Sequence, residues 1–463
     1  MKKSNDASTQ NIYCLDGRVP LLKAIPFGLQ HVLAMFVANI APIMIVAGVG
    51  NLTADQKAML IQNVMFIAGL GTLVQLYPLW KVGAKLPIVM GISFTFVTIL
   101  SYVTVTYGYA AAVGCTIVGG IIEGTLGLFA KYWRRIITPV VSACVVTTIG
   151  FSLLSVGATS FGGGSGAADF GSAQNLILGT VTLISCILFN IFAKSFFKQL
   201  SVLFGLVVGY VLAIFMGKVD FSALADTQII SVPRILPFMP EFNISAIIAV
   251  TVIFLVSATE TIGDISALSI SALKRDATDK EFSGGLACDG FLSSVSGLFG
   301  GMPITSFSQN VGLVAMTKVV NRFTIMMGAL IMILCGLFPV VGGLFATLPE
   351  AVLGGCTIMM FGSIVVSGIQ MIIRAGLTEK NTMIVVLSLS IGIGFTQVNG
   401  LFSIFPEMVQ ELLQSNCVAI AFVVALILNL VLPEHMGNKQ KKEAIAAESE
   451  QETESEEKVE TTK

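Results

Sequence analysis

The chain has 463 residues, of which 55% are hydrophobic and only 11% charged, and its net charge is −1. Soluble domains carry about 25% charged residues, so this composition excludes a large soluble core and indicates an integral membrane protein whose surroundings are lipid. The near-zero charge also argues against a nucleic-acid partner.

Met1 to Lys23 is polar, and the first apolar run is too long for a signal-peptide h-region, so no cleaved leader is expected. Apolar runs that approach the roughly 20 residues of a membrane span then follow one another. They lie near 24–50, 58–80, 86–107, 109–130, 137–157, 173–196, 200–217 and 243–272. They continue near 282–302, 303–317, 322–347, 351–373, 380–398 and 416–434, which predicts an all-α polytopic protein of about fourteen segments. From Gly437 a tail dense in Glu and Lys is expected to be disordered and solvated.

Placing both termini in the cytoplasm also places Lys81, Lys85, Lys131, Arg134, Arg135, Lys194, Lys198, Lys274, Arg275, Lys318, Arg322, Arg374 and Lys380 there. The opposite loops are sparse in cations, Lys218 and Arg234 excepted, as the positive-inside rule requires. The eight Cys stand singly, mostly inside apolar runs, and read as small buried hydrophobes. No CxxC or Cys/His cluster suggests a disulfide or a metal site, and no cofactor is expected beyond a proton as coupling ion.

The third and tenth segments depart from the apolar norm. In the third, Leu86-Pro87-Ile88-Val89-Met90-Gly91-Ile92-Ser93-Phe94 echoes Met302-Pro303-Ile304-Thr305-Ser306-Phe307 of the tenth. The two lie seven segments apart, and an odd number of spans per half gives the halves inverted topology. The tenth segment continues as Ser308-Gln309-Asn310-Val311-Gly312, rich in groups that cost several kcal/mol each if left bare in hydrocarbon. Gly300-Gly301-Met302-Pro303 denies it a continuous helix. A broken, polar segment at membrane depth lines a cavity, and in transporters that cavity holds the substrate.

Ionisable groups within the apolar runs are His31, Glu123, Glu260, Asp264 and Asp289. A charge at the bilayer centre costs about 2.5 to 3.5 kcal/mol on insertion scales, so each is a functional candidate. Glu260 and Asp264 are four apart and share one helix face, where two poorly hydrated carboxyls can hold a proton near neutrality. Asp289 is read either as bonding the broken tenth segment or as joining the proton path. His31 reads as a packing residue before a proton carrier, and Glu123 as a structural residue near a helix end. Lys318 and Arg322 read as interface anchors. Gln309 has donors and an acceptor for an amide edge, and Glu260 has acceptors for ring N–H groups. Together they match a flat heterocycle with alternating N–H and C=O groups, with Phe94 to stack on it and Ser93 to reach its rim.

With these residues in view the chain resembles the nucleobase–ascorbate transporter family, also called nucleobase:cation symporter family 2, in its xanthine/uric acid permease type. The match is the family signature, read here as Gln309-Asn310-Val311-Gly312-Leu313-Val314-Ala315-Met316-Thr317-Lys318. His31, Ser93-Phe94, Glu260, Asp264 and Asp289 match further, and the likeness runs from about Val19 to Pro433. The resemblance implies two inverted repeats of seven spans, with short extended strands in segments three and ten. It implies a core domain from 24–130 and 243–347, a gate domain from 131–242 and 348–436, and cytoplasmic ends at 1–23 and 437–463. It implies that Glu260 and Gln309 bind a purine nucleobase, that Phe94 stacks on it beside Ser93, and that Asn310 shapes the site. Asp264, Asp289, His31, Gly312 and Thr317 then serve proton coupling or site architecture.

The reading that follows is a homodimeric proton symporter for xanthine and/or uric acid in the cytoplasmic membrane of a bacterium. Gln309 stands where uracil members of the family carry Glu, so a uracil or other nucleobase permease is the alternative. A more distant one is an anion exchanger of the sulfate-carrier architecture, which usually adds a soluble C-terminal domain that 437–463 is too short to form. An intramembrane enzyme would need a nucleophile–base pair or metal cluster that the sequence lacks.

Overall fold

The computed structural model describes residues 11–433 apart from 195, 222–229, 399, 406–409, 411–412 and 415, so the tail from Gly437 lies outside the described residues. Helices occupy all fourteen expected positions among them. These are α1 (Leu21–Val49), α2 (Ala54–Leu76), α3 (Val97–Tyr107), α4 (Tyr109–Leu128), α5 (Pro139–Phe161), α6 (Ala173–Phe192) and α7 (Ser201–Phe215). After them come α8 (Ile244–Leu268), α9 (Asp279–Leu298), α10 (Ser308–Thr317), α11 (Arg322–Cys335), α12 (Glu350–Ala375), α13 (Glu379–Thr396) and α14 (Cys417–Val431). Side chains set the starts: capping boxes of Thr53 with Gln56 and of Thr278 with Glu281 begin α2 and α9.

Seven helices are long and apolar enough to cross a membrane alone. The others explain themselves. α9 carries Asp289, Ser293, Ser294 and Ser296, all buried against protein, so its polar groups find partners that lipid would deny them. α11 was expected as part of one run from 322 to 347. Instead it ends at Gly336, and a short helix, Pro339–Ala346, leaves at 76°. Pro339 lacks the N–H a continuous helix would need and opens a new helix at its first turn.

α3 and α10 are half-helices of 11 and 10 residues. Each is preceded by a three-residue strand, β1 (Met90–Ile92) before α3 and β2 (Ile304–Ser306) before α10. The strands pair antiparallel, Met90 opposite Ser306 and Ile92 opposite Ile304, and so join the third segments of the two inverted halves. Bare strand edges are intolerable inside a membrane, and helix side chains satisfy them. Thr72 Oγ1 accepts from Met90 N at 2.9 Å, and Asn39 Oδ1 accepts from Ile92 N at 2.8 Å. Ser293 Oγ both accepts from Ile304 N and donates to its carbonyl, each at 3.0 Å. Gly91 in β1 is required by space, since a Cβ there would stand 2.7 Å from the Phe307 ring and from Met35 Cε.

Around this cross α1 and α2 pack on α11, and α4 lies along α9. α5 and α6 pack on α12, α7 on α6, and α14 on α13 and α5. α8 touches both α4 and α5, which brings its carboxylates to the centre of the molecule.

Candidate functional site

Because the strands are antiparallel, the two half-helices leave the crossing in opposite directions and both present their N-terminal ends to it. Helix N-termini carry partial positive charge and unpaired N–H groups, which favours acceptors placed between them. α8 supplies such acceptors. Glu260 Oε2 accepts from Thr95 Oγ1 at 2.9 Å, in the single 3-10 turn that leads into α3. One turn along, Asp264 Oδ2 accepts from Ser306 Oγ at 2.6 Å and its Oδ1 from Ser308 Oγ at 2.7 Å. The two carboxyls of one helix face thus divide their attention, one to the start of each half-helix.

Asp289 lies deeper, behind the strands, and is fully buried. Its carboxylate accepts from Gln75 Nε2 at 3.0 Å, from Thr305 Oγ1 of β2 at 3.1 Å and from Thr261 Oγ1. Gln75 binds further, donating to the Gly285 carbonyl and accepting from Ala84 N. Of the two sequence readings of Asp289, bonding to the broken segment is what this geometry displays.

Gln309 follows Ser308 on the first turn of α10 and is exposed, and none of the described residues hydrogen-bonds its amide. Gly312, one turn on, faces open space: a Cβ there would meet nothing within 4 Å. Asn310 is buried and turned the other way. Its Nδ2 bonds the His31 carbonyl at 3.1 Å and approaches His31 Nδ1 at 3.2 Å, joining α10 to α1. His31 is buried beside it. Phe94 is half-buried and meets Phe361 of α12 edge-on, with centroids 5.4 Å apart at 83°. Its neighbour Ser93 is buried, and its hydroxyl accepts from Thr95 N at 3.3 Å, capping the 3-10 turn.

Four expected positions stand apart. Thr317 closes α10, with its hydroxyl on the Leu313 carbonyl at 2.9 Å. It is eight residues beyond Gln309 (317 − 309), about 12 Å along the helix, and so belongs to the end of the helix. Lys318 follows in a left-handed conformation and donates to the Ser271 carbonyl at 2.8 Å, tying α10 to the π-turn after α8. Arg322 is not an interface anchor: it is buried, pairs with Asp16, donates to the Leu76 carbonyl at 2.8 Å and lies over Tyr77. A guanidinium needs several acceptors, and the docked stretch before α1 supplies them where water would otherwise have to. Glu123 lies five residues before the C-terminal end of α4 (128 − 123) and is buried.

Residues to which the sequence assigned no role of their own do much of the holding. Thr95, Thr261, Thr305, Ser306 and Ser308 all hydrogen-bond the carboxylates, and Asn39, Thr72, Gln75 and Ser293 hold the strands or Asp289. Asn39 and Gln75 were findable as amides inside apolar runs. A lone Thr or Ser gives no such signal, because its hydroxyl can always return to its own helix. Among the described residues no group of His, Cys, Asp and Glu is arranged to hold a metal ion.

Comparison with known proteins agrees with this architecture. The pattern of the Permease family matches residues 22–401. The chain is 32% identical over 448 residues to the xanthine permease XanQ of Escherichia coli (strain K12), covering 94% of this chain and 96% of that one. It is 35% identical over 446 residues to the xanthine permease XanP of the same strain, covering 92% and 96%. A xanthine permease of Bacillus subtilis (strain 168) is 34% identical over 413 residues, covering 88% and 93%. In fold, the chain resembles the transmembrane domain of a cyanobacterial bicarbonate transporter, BicA, at TM-score 0.54 and 16% identity, covering 88% and 97%. It also resembles the murine anion transporter Slc26a9 at TM-score 0.61 and 12% identity, covering 89% of this chain and 68% of that one. Those identities carry the fold alone, whereas the permease matches run nearly the whole length of both sequences. The chain therefore belongs to the nucleobase–ascorbate transporter branch of the Permease family, and it is a multi-pass membrane transporter, not an enzyme.

Proposed function

We propose that this protein is a proton symporter that imports a purine nucleobase, xanthine and/or uric acid, across the cytoplasmic membrane of a bacterium, with both termini in the cytoplasm. The observation that carries the reading is the pair Glu260 and Asp264 between two opposed helix N-termini, with the free amide of Gln309 on the adjoining turn. A purine offers N–H groups to a carboxylate and a C=O/N–H edge to an amide, and Phe94 offers a ring edge and face beside them. The names of the permease relatives support the same substrate class. Glu260 and Gln309 bind the purine, Asn310 and His31 fix the turn that carries Gln309, and the carboxyls hold the coupling proton.

A neutral purine that moves with one proton carries one positive charge inward. At about 2.3 kcal/mol per 100 mV, that alone supports roughly fifty-fold accumulation. The packing of α1–α4 with α8–α11, and of α5–α7 with α12–α14, supports a core (24–130, 243–347) that moves against a gate (131–242, 348–436) around a central site. We assign the protein as a homodimer on the family's pattern.

Radiolabelled xanthine uptake in cells without their own purine permeases tests this, with urate and uracil as competitors. Uptake should be blocked by urate, untouched by uracil and abolished by a protonophore, and Glu260→Gln should reduce it to background. Indifference to the protonophore would sink proton symport, and competition by uracil would favour the uracil-type alternative. The two anion transporters in the comparison share only the fold with this chain.

A further inference from the structure

Lys218 and Arg234 are the two cations that depart from the charge pattern in the stretch between α7 and α8. Lys218 is answered by Asp169 at 2.7 Å. Among the described residues no carboxylate forms an ion pair with Arg234. Its backbone is nonetheless pinned: Asn63 Oδ1 accepts from Arg234 N at 3.2 Å, and Asn63 Nδ2 donates to the Arg234 carbonyl at 3.1 Å. An exposed guanidinium is stable in water, so the charge alone assigns nothing, and its surroundings decide.

Arg234 lines a cavity of about 680 Å³ between the start of α2, the stretch 231–238 and the short helix Pro339–Ala346. That volume falls in the range of small-molecule sites, roughly 300–1,000 Å³. The walls are apolar at Met59, Phe238 and Pro339 and polar at Asp55 and Gln62. Gln62 is only 6% exposed, and its Nε2 donates to both the carbonyl and the hydroxyl of Ser231, each at 2.9 Å. A carbonyl can only accept, so the amide's orientation is fixed and Oε1 is the atom left over. No described residue donates to that oxygen, which leaves a buried acceptor for a ligand N–H to satisfy.

The same stretch is tied to the break in the tenth segment. Asn63 Nδ2 also donates to the Phe299 carbonyl at 2.6 Å, and Leu236 N donates to the Leu298 carbonyl at 2.7 Å. Tyr109 Oη donates to the Gly300 carbonyl at 2.8 Å, while its ring meets that of Phe238 with centroids 4.8 Å apart. From Gly300 the chain enters β2 four residues on (304 − 300). With the termini in the cytoplasm as proposed above, the cavity lies on the outer face, where an imported molecule arrives.

We propose that this cavity is an outer binding site for the imported oxopurine, occupied before the molecule reaches Glu260 and Gln309. Arg234 donates to the ring carbonyl oxygens, Gln62 Oε1 and Asp55 accept from ring N–H groups, and Met59 and Phe238 cover the apolar faces. An oxopurine presents such donors and acceptors around one flat ring system, and a planar guanidinium suits its edge. A phosphate headgroup has acceptors for Arg234 but no N–H for Gln62, so it fits the cavity less well. The inference rests on the substrate class proposed above and not on the proton coupling.

The test is labelling of Val232→Cys by a membrane-impermeant maleimide in right-side-out vesicles that carry the full-length protein. Val232 lines the cavity, is 79% exposed and makes none of the contacts proposed. The chain with Val232 intact gives the background from its own cysteines. Saturating xanthine should slow the labelling, and should still slow it once Glu260→Gln has disabled the central site. Adding Arg234→Gln should then raise the xanthine concentration for half-protection about tenfold, the loss expected for one hydrogen bond from a charged donor. Protection that vanishes with Glu260→Gln would mean that the loop only senses the central site through Asn63 and Tyr109. That result overturns the inference and leaves the proposed function standing. Equal protection by inorganic phosphate would make Arg234 an unselective anion contact, and a cysteine that the reagent never reaches would put the cavity off the substrate's path; either overturns it. Absence of both xanthine and urate uptake by the wild-type protein removes the substrate class, and this inference with it. Should Glu260→Gln not reach the membrane, Arg234→Gln on Val232→Cys alone decides, since an unmoved half-protection concentration refutes the site.

Discussion

Ser308 links two jobs in one side chain. Its hydroxyl donates to Asp264 at 2.7 Å, and its backbone begins the helix whose next residue is Gln309. A hydrogen bond to a charged group contributes about 1.5–3 kcal/mol, roughly ten- to a hundred-fold in an equilibrium. Ser308→Ala should therefore raise the purine Kd by about tenfold without loss of fold, because Ser306 still holds the other oxygen of Asp264. Calorimetric titration of purified protein checks it, and an unchanged Kd would mean that Asp264 does not position the purine-binding turn. Arg322 shows how a residue's role can be invisible in sequence. Next to Lys318 and beyond an apolar run it looks like a charge at the membrane surface, and only the folded chain reveals that Asp16 and the Leu76 carbonyl enclose it.

The broken segments were legible because their chemistry breaks a rule. Pro87, Pro303, Gly300 and Gly301 interrupt runs that lipid would prefer whole, and the repeated Ser-Phe stands where each strand gives way to its half-helix. What the sequence could not disclose was the partner of each strand edge, since Asn39 and Ile92 are 53 residues apart and meet only in the fold. The bend at Pro339 was also hidden, for Leu337 to Phe345 is as apolar as a continuous span. Asn39→Leu keeps the bulk but leaves Ile92 N without an acceptor, a cost of about 1–3 kcal/mol for a buried donor. Its thermal midpoint in detergent should fall, and xanthine uptake should fall with it because β1 carries Ser93 and Phe94 into the site. A variant with full stability would show that another acceptor can replace Asn39. By contrast, the Asp169–Lys218 pair joins two loops outside the spans, the one after α5 and the one after α7. The hydrogen bond from Lys218 at 2.7 Å holds the Asp169 carboxyl below its usual range. A depressed value means that its contribution is complete above about pH 4 and is lost only as pH falls through the lowered value. Asp169→Asn should thus leave the uptake profile unchanged between about pH 5 and 8, and any shift there would tie this loop to coupling.

Transport by relative motion makes a demand on surfaces that slide past one another, and one such contact is well defined. Gly48 ends α1 in the first half, and Glu350 begins α12 in the second; a Cβ on Gly48 would lie 2.4 Å from Glu350 Oε1. Glu350 also fills the turn at Gly164, where a Cβ would lie 2.7 Å from its Oε2, so the carboxylate is wedged between α1 and the loop that follows α5. If core and gate move apart at this end during each cycle, a covalent tie between them must stop the cycle while the purine site stays formed. Gly48→Cys combined with Glu350→Cys, oxidised in proteoliposomes, should abolish xanthine uptake, and reduction should restore it. Xanthine binding measured on the oxidised protein should persist. The single Gly48→Cys variant separates this tie from reactions of the chain's own cysteines, of which Cys14 is the exposed one. Uptake at the reduced protein's rate through a verified cross-link would show that α1 and α12 travel together, and the boundary between moving bodies would then have to lie elsewhere than between α1–α4 and α12–α14.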